Sequence, residues 1–378
     1  MCIFQSAAGA FYLGEMDAKG PHGNWNVRER GTSNMAKSYT VAVVGATGAV
    51  GEQMLKILEE RSFPVGELRP LASARSAGKK VRFRGEEVVV REATPDAFEG
   101  VDIALFSAGG GISARLAPEA VARGAVVIDN TNAFRMDPDV PLIVPEVNGS
   151  KVREHKGIIA NPNCSTIQMV VALKPLRDRY GLERVIVSTY QAVSGSGWQA
   201  IEELNRQTRA VVSGEEPSCE VLPVSKLSKH YPIAFNAIPQ CDVAQENGYT
   251  LEEMKMVRET QKIFDDETIQ VSATCVRIPV VRGHSESIYV ELKEEADPEA
   301  VRRILAEAPG IIVQDDIFEQ VYPMPLEAAD RHEVFVGRIR RDLHNPKGLH
   351  LWVVADNLLK GAATNTVQIA ELLVSADQ

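Results

Sequence analysis

The sequence predicts an α/β protein with two domains, one built on a parallel sheet and one an α+β domain with a mixed sheet. The parallel sheet is indicated by residues 39–44, a mostly apolar run typical of a strand buried on both faces. A glycine-rich turn and a segment of helical spacing, 53–60, follow this strand and open a βαβ unit. In the second half, 269–281 and 285–292 alternate their side chains as strands with one covered face do. The length of 378 residues suits two domains.

Similar patterns place the remaining elements and the domain boundaries. Helical segments separate several apolar strand candidates in the first half, which favours parallel pairing. The candidates are 68–72, 88–90, 102–106, 125–128, 142–144 and 158–160 in the first half and 184–193, 335–341 and 350–355 in the second, with helices at 198–212 and 298–308. We expect a first domain at 38–162, completed by an apolar helix at 357–375 that packs back on it, and a second domain at 163–356. Residues 1–37 form an N-terminal extension that we expect to be disordered.

The composition argues against several classes of protein. Lys and Arg number 41 against 51 Asp and Glu, a net charge of −10, whereas a general nucleic-acid binder needs a basic face. No apolar run reaches the ~20 residues of a membrane-spanning helix, and no cationic side chain precedes Lys19 as it would in a secretory signal. Five scattered cysteines, with no Cys/His cluster of zinc-binding spacing, predict a cytoplasmic protein with reduced thiols and no metal.

Three glycines, Gly45, Gly48 and Gly51, follow the first strand at a G-x-x-G-x-x-G spacing. Glycine lets the backbone turn sharply and approach a pyrophosphate, which then lies at the N-terminus of the next helix. With a strand before it and a helix after it, this turn indicates a Rossmann-like dinucleotide site. A tight structural turn without a ligand is the alternative.

The end of the second predicted strand distinguishes two nicotinamide cofactors. An NAD site usually offers Asp or Glu there for the ribose hydroxyls. This chain has Ser73, Arg75 and Ser76 instead. A guanidinium flanked by hydroxyls suits the 2′-phosphate of NADP, so NADP is favoured. The alternative is a solvent-exposed arginine without a ligand.

One cysteine, Cys164, lies near the predicted start of a helix, just after the strand candidate 158–160. The helix dipole and free N–H groups at such a position stabilise a thiolate, and a nearby N–H can receive an oxyanion. A nucleophilic thiol needs a base, and His284 is the best candidate because it follows a strand and a glycine. The alternatives are a small buried core cysteine and a packing or surface histidine.

Seven stretches of sequence, in order from about residue 38 to the C-terminus, match one family. They are 41–51 (VAVVGATGAVG), 71–76 (LASARS), 161–168 (NPNCSTIQ), 188–195 (STYQAVSG), 273–279 (ATCVRIP), 284–287 (HSES) and 356–363 (DNLLKGAA). In these stretches the chain resembles the aspartate-semialdehyde dehydrogenases of the bacterial type, and a shared dinucleotide turn alone would not reproduce them. The first 34 residues have no counterpart in the family pattern.

The resemblance implies an enzyme that interconverts L-aspartate 4-semialdehyde and 4-phospho-L-aspartate with NADP and phosphate. This reaction belongs to lysine (diaminopimelate), methionine and threonine biosynthesis. By the resemblance, Cys164 is the nucleophile that forms a thiohemiacetal and then a thioester, His284 is the acid/base and Gln191 orients the substrate. It also implies a cytoplasmic homodimer, with 38–162 as the NADP-binding domain and 163–356 as the catalytic and dimerisation domain.

The resemblance also assigns the substrate and cofactor contacts. Arg277 matches the clamp for the substrate carboxylate, and Glu252 matches the acid that contacts the amine. Arg135 and Lys255 match the phosphate site, where two cations around one anion are electrostatically sensible. An i,i+3 salt bridge on a helix face is the alternative for Glu252 and Lys255. The cofactor contacts are Gly45, Thr47, Gly48, Ala49, Val50, Gly51, Arg75, Ser76, Ser194, Gly195 and Asn357.

Two other functions stay open at this point. A related reductase of N-acetylglutamyl phosphate would share the glycine turn, the thiol and an arginine for a carboxylate. Glu252 argues against it, because an acetylated amine carries no charge and needs no acidic partner. A non-catalytic NADP-binding paralogue would keep the sheet, but the presence of both Cys164 and His284 argues against that function.

Overall fold

The computed structural model describes residues 37–376, so the predicted extension at 1–37 lies outside the described residues apart from Lys37. The strands are β1 Tyr39–Val44, β2 Val65–Ala72, β3 Lys80–Phe83, β4 Glu86–Val89, β5 Arg91–Glu92, β6 Ile103–Phe106, β7 Val126–Asp129, β8 Ile158–Ala160, β9 Leu182–Gln191, β10 Gln270–Arg277, β11 His284–Leu292, β12 Ile311–Val313, β13 Val334–Arg341 and β14 Gly348–Ala355. The helices are α1 Ala49–Glu60, α2 Gly110–Ala122, α3 Pro145–Asn148, α4 Cys164–Tyr180, α5 Trp198–Val212, α6 Leu251–Phe264, α7 Pro298–Glu307, α8 Pro325–Ala328 and α9 Thr364–Ala376.

The first sheet has six strands in the order β5-β2-β1-β6-β7-β8, and every neighbouring pair is parallel. Alternate residues of β1 enter two apolar layers. Val41 and Val43 pack in the layer that includes α1 and α9, while Ala42 and Val44 pack with α2. The sheet is therefore covered by helices on both faces, which explains the continuous apolar run that β1 shows in the sequence.

One predicted strand joins a different sheet from the one expected, and another is absent. Residues 88–90 do not join the parallel sheet, because Arg84 and Gly85 turn the chain at positive φ and β4 pairs with β3 as a separate hairpin. Residues 142–144 form no strand. They contact β8 through a single bridge, Leu142 to Ala160, and Pro145 then begins α3.

The second sheet is mixed, as predicted, with the order β10-β9-β11-β14-β13-β12. The pairs β9–β10 and β12–β13 are parallel, whereas β9–β11, β11–β14 and β13–β14 are antiparallel. Helices α4, α6 and α7 pack against one face of this sheet through a large apolar core. On the opposite face Ile186 is 45% exposed and the rings of Tyr190 and Trp352 lie 5.6 Å apart. The fold class is therefore α/β with a Rossmann-like parallel sheet and a second, mixed sheet.

The end of the chain returns to the first sheet, as the apolar pattern of 357–375 predicts. Val367 and Ala370 of α9 share a core with Met54 and Ile57 of α1. The regular helix begins at Thr364, because the preceding turn, Leu359–Ala363, is π-helical. Within residues 37–376 no helix has both the length and the apolar character needed to cross a membrane.

Candidate active site

A cavity of about 380 Å³ brings together residues that lie far apart in the sequence. It is bordered by the start of α1, the start of α4, the end of β10 and the first turns of α6. Ten of the predicted site residues line it: Val50, Arg135, Cys164, Gln191, Ser194, Gly195, Glu252, Lys255, Arg277 and Asn357. The predicted substrate residues and the thiol therefore share one cavity with four of the predicted cofactor contacts, whereas His284 and the other cofactor contacts do not line it.

Cys164 is the first residue of α4, as the sequence predicts. Asn163 caps this helix, because its Oδ1 accepts hydrogen bonds from the N–H groups of Ser165 at 2.9 Å and Thr166 at 3.4 Å. Gly361 allows the π-helical turn to approach the thiol, since a Cβ at that position would lie 2.8 Å from the Cβ of Cys164.

The protonation state of Cys164 differs from what the helix start alone predicts. Burial and the negative charge of Glu252 raise the pKa of the thiol to about 12, and the opposing charges of Arg277, Arg135 and Lys255 do not compensate. At neutral pH the thiol of the free protein therefore carries its proton. Nucleophilic attack needs a group that removes this proton as the reactants meet.

His284 is the first residue of β11 and is fully buried. Its Nδ1 accepts a hydrogen bond from the N–H of Ala192 at 3.0 Å, while its Nε2 has no protein partner among residues 37–376. A Cβ on the cavity-lining Gly195 would lie 3.4 Å from this Nε2. Burial, aided by the charge of Arg277, lowers the pKa of His284 to about 3, so the ring is neutral at neutral pH.

Glu252 lies at the centre of a buried hydrogen-bond network. Its Oε1 accepts from Asn163 Nδ2 at 3.0 Å and from Gln191 Nε2 at 3.1 Å, and its Oε2 accepts from Lys255 Nζ at 3.0 Å. Burial alone would raise the pKa of this carboxyl group, but the charge and hydrogen bond of Lys255 and the amide of Asn163 lower it to about 2. The i,i+3 salt bridge considered as an alternative is therefore present, and it lies inside the cavity.

Lys255 is held between two carboxylates. Its Nζ also donates to Asp242 Oδ2 at 2.8 Å. Burial disfavours the charged amine, but Glu252 and Asp242 outweigh this effect and raise the pKa of Lys255. Lys255 therefore contributes a fixed positive charge to the cavity.

Two buried arginines face the same cavity. Arg277 Nη1 donates to the carbonyl oxygen of Ala192 at 2.7 Å, whereas its Nε has no partner among the described residues. Arg135 Nη1 donates to Glu259 Oε1 at 2.9 Å, and its Nη2 donates to the carbonyl oxygen of Asn130 at 3.0 Å. Each guanidinium is fixed on one side by the protein.

The glycine turn is shaped by close backbone contacts. Gly45 has φ +89°, and a Cβ there would lie 2.4 Å from the carbonyl oxygen of Ser107. A Cβ on Gly51 would lie 2.1 Å from the carbonyl oxygen of Gly45. Both positions therefore require glycine. The turn leads directly into α1, whose N-terminus carries the partial positive charge that suits a pyrophosphate.

The other predicted cofactor contacts divide into two groups. Arg75 and Ser76 lie in a short turn, Ala74–Ser76, after β2, with Arg75 exposed and Ser76 buried. Ser194 and Asn357 lie at the thiol end, where Asn357 Nδ2 donates to Ser194 Oγ at 2.9 Å. Arg75 does not line the cavity that holds Cys164.

Sequence reasoning missed three residues of this site. Asn163 caps α4, Asp242 pairs with Lys255, and Glu259 pairs with Arg135. An available signal was the capping box of α6, in which Thr250 and Glu253 exchange hydrogen bonds. It would have placed Glu252, Lys255 and Glu259 on one helix.

The parallel sheet with its glycine turn, joined to a half-buried thiol among fixed charges, defines an oxidoreductase with a nicotinamide-cofactor domain. Residues 40–155 match the family model described as "Semialdehyde dehydrogenase, NAD binding domain", and residues 173–360 match "Semialdehyde dehydrogenase, dimerisation domain". The chain belongs to the semialdehyde dehydrogenase family.

Individual relatives agree with this assignment. A Bacillus subtilis (strain 168) protein named aspartate-semialdehyde dehydrogenase is 61% identical over 340 residues, which are 90% of this chain and 98% of the relative. The solved Vibrio cholerae aspartate semialdehyde dehydrogenase II, complexed with ASA, is 51% identical with a TM-score of 0.85, covering 90% of this chain and 99% of that one. The Candida albicans enzyme with NADP is 26% identical with a TM-score of 0.67, covering 89% and 98%.

Proposed function

We propose that this chain is an NADP-dependent phosphorylating aldehyde dehydrogenase that interconverts L-aspartate 4-semialdehyde and 4-phospho-L-aspartate. One observation carries the proposal. The cavity that contains the Cys164 thiol also contains an anionic Glu252 and the cations Arg277, Arg135 and Lys255. The substrate has a matching set of groups, namely an ammonium, a carboxylate and a phosphoryl group.

Substrate recognition follows from the charges. Glu252 is a carboxylate at neutral pH, since its pKa is about 2, and binds the substrate ammonium. Arg277 binds the carboxylate with the guanidinium donors that the Ala192 carbonyl leaves free. Arg135 and Lys255 bind the phosphate, and Gln191, fixed by Glu252, orients the reacting carbonyl group.

The covalent step takes place at Cys164. In the biosynthetic direction its sulfur attacks the acyl carbon of 4-phospho-L-aspartate. A C–S bond forms, the bond between the acyl carbon and the phosphate oxygen breaks, and inorganic phosphate leaves. Because the thiol rests protonated, a base must take its proton, and we assign this role to His284. Since Nδ1 accepts from the Ala192 N–H, the neutral ring carries its own proton on Nε2; His284 must therefore release this hydrogen bond and move its proton to Nδ1 before Nε2 can accept the proton of the thiol. The nicotinamide cofactor, when bound, supplies the hydride that reduces the thioester.

The cofactor site fits NADP by its shape and charge. The turn is packed tightly at Gly45 and Gly51, where a Cβ would collide with carbonyl oxygens of the chain itself, and it lies at the N-terminus of α1. Arg75, at the end of β2, binds the 2′-phosphate in this proposal, and no acidic residue lies within the Ala74–Ser76 turn. The structure of the Candida albicans relative with NADP supports the same choice.

We further propose that the chain acts as a homodimer in the cytoplasm, within lysine, methionine and threonine biosynthesis. The second region matches a dimerisation-domain model, and the uncovered face of the mixed sheet carries the exposed Ile186 beside Tyr190 and Trp352. Light scattering should give twice the mass of one chain, and Ile186→Asp should shift it toward a single chain. The cytoplasm keeps thiols reduced, which is compatible with the four free cysteines among the described residues.

A single assay tests the enzymatic proposal. Oxidation of NADPH is followed with aspartyl phosphate and, separately, with N-acetylglutamyl phosphate. We expect turnover with aspartyl phosphate only, because the acetylated amine cannot pair with Glu252. Turnover with N-acetylglutamyl phosphate instead would favour the related reductase. Absence of turnover with both would favour a non-catalytic NADP-binding protein.

A further inference from the structure

We propose that Glu259 is a positioning residue that fixes two segments relative to each other: Arg135, which binds phosphate in the proposed function, and the backbone at Asn163, directly before Cys164. The proposal rests on the proposed function. Glu259 lies on α6 and is 1% exposed. Its Oε1 accepts a hydrogen bond from Arg135 Nη1 at 2.9 Å, and its Oε2 accepts one from the backbone N–H of Asn163 at 2.7 Å. One carboxylate therefore joins two segments of the cavity wall.

The Asn163 end of this connection leads directly to the thiol. Asn163 precedes Cys164, its Oδ1 caps α4, and its Nδ2 donates to Glu252. A shift of this backbone N–H would therefore move the thiol relative to the proposed ammonium-binding carboxylate. Glu259 anchors it through a charge-assisted hydrogen bond, which is stronger than a neutral one.

The Arg135 end leads to the phosphate. The guanidinium is oriented by Glu259 on Nη1 and by the Asn130 carbonyl on Nη2, while Nε has no partner among the described residues. The same helix also holds the backbone of this loop. Lys262 Nζ donates to the carbonyl oxygens of Arg135, Asp137 and Val140 at 2.7, 2.6 and 2.8 Å.

The spacing along α6 explains how one element performs these tasks. Glu252, Lys255, Glu259 and Lys262 follow each other at steps of three, four and three residues, which keeps them near one face of the helix. Glu252 and Lys255 reach the cavity, whereas Glu259 and Lys262 hold the Arg135 loop against the helix. The distance between the thiol and the two cations proposed to bind phosphate, Arg135 and Lys255, is thus set by contacts to one helix.

The chain offers a matched control on the same helix. Glu253 is also buried, and its carboxylate also accepts two hydrogen bonds, from the N–H groups of Thr250 at 2.7 Å and Cys275 at 2.9 Å. Neither partner belongs to the proposed phosphate or thiol machinery. Glu253→Gln therefore measures how much stability is lost when a buried carboxylate is removed from α6 while Arg135 and Asn163 stay undisturbed.

The experiment compares full-length Glu259→Gln, Glu259→Asp and Glu253→Gln with the wild type in the phosphorylating direction, with phosphate varied. In Glu259→Gln, one amide oxygen cannot serve both donors, so we expect KM for phosphate to rise about tenfold or more and kcat to fall. The Kd of NADP should change less than about twofold. Glu253→Gln should lower Tm while KM for phosphate stays within about twofold of the wild-type value. If Glu259→Gln does not fold, Glu259→Asp carries the test, because its shorter side chain reaches only one of the two partners.

A second readout separates this proposal from the proposed function. Inorganic phosphate is used to protect Cys164 from alkylation by iodoacetamide, a measurement that needs no turnover. We expect protection in the wild type and in Glu253→Gln and its loss in both Glu259 variants. Wild-type protection without turnover on aspartyl phosphate would contradict the proposed function alone. A Glu259→Gln protein with wild-type phosphate protection and KM, and only a lowered Tm, would overturn the positioning role.

Discussion

In the proposed enzyme the glycine turn binds the cofactor and the thiol pocket binds the substrate, and the two regions are built by different physical means. The turn is built from backbone, and its essential feature is close packing, since Cβ atoms at Gly45 and Gly51 would collide with carbonyl oxygens of the chain itself. The thiol pocket is built from side chains, with the buried Glu252 and Arg277 and the half-buried Lys255 in one cavity. Cofactor binding should therefore tolerate changes in the pocket that abolish chemistry, and changes at the cofactor end should leave the chemistry intact.

The most severe test of this separation is Cys164→Ser. An alkoxide is far harder to form than a thiolate at neutral pH, so we expect turnover to fall by at least about a thousandfold. The Kd of NADP, measured by fluorescence titration, should stay close to the wild-type value because the glycine turn is unchanged. A large loss of NADP affinity would mean that the two regions are coupled.

The next test acts on the charges of the pocket. Arg277→Lys keeps a positive charge but loses the guanidinium fork and its hydrogen bond to the Ala192 carbonyl. We expect a loss of roughly ten- to a hundredfold in kcat/KM for the semialdehyde, because one charge-assisted hydrogen bond is worth about 1.5–3 kcal/mol. Steady-state kinetics and a melting curve are recorded on the same sample.

The alternative for Arg277 is a structural ion pair with Glu286. No salt bridge joins Arg277 to Glu286 within residues 37–376, and the guanidinium donates to the carbonyl oxygen of Ala192 instead. A normal KM for the semialdehyde together with a lowered Tm would nevertheless defeat the clamp assignment.

The mildest change concerns the cofactor end. Arg75→Ala should raise KM for NADP about tenfold and leave KM for NAD nearly unchanged, since only NADP carries the 2′-phosphate. Arg75 is exposed, so the stability of the fold should hardly change. Equal effects on both cofactors would place Arg75 outside the 2′-phosphate site.

The sequence predicts the local features of this molecule better than its long-range pairs. The glycine turn and the helix start near Cys164 are confirmed because each depends on spacing between near neighbours. The predicted strand at 142–144 is wrong, and the strand at 88–90 belongs to the β3–β4 hairpin and not to the parallel sheet, since a short apolar run does not reveal its partner strand.

The site residues that the sequence did not predict were missed for the same reason. The pairing of Glu259 with Arg135 joins residues 124 positions apart, and Asn163 meets Glu252 across 89 positions. The periodicity of apolar residues along the sequence does not reveal contacts between residues so far apart. The raised pKa of Cys164 could not be predicted from the sequence either. The helix start is visible in the sequence, whereas the burial of the thiol and the approach of Glu252 depend on the whole fold.

The covalent intermediate on Cys164 is the central claim, and mass spectrometry tests it most directly. The wild-type protein and Cys164→Ser are incubated with aspartyl phosphate in the absence of NADPH, quenched in acid and digested. The wild type should carry one aspartyl group on the peptide that contains Cys164, removable by hydroxylamine as a thioester is, and Cys164→Ser should carry none. Unmodified Cys164 in a wild-type protein that turns over aspartyl phosphate, or an acyl group on Cys219, Cys241 or Cys275 instead, would contradict the account.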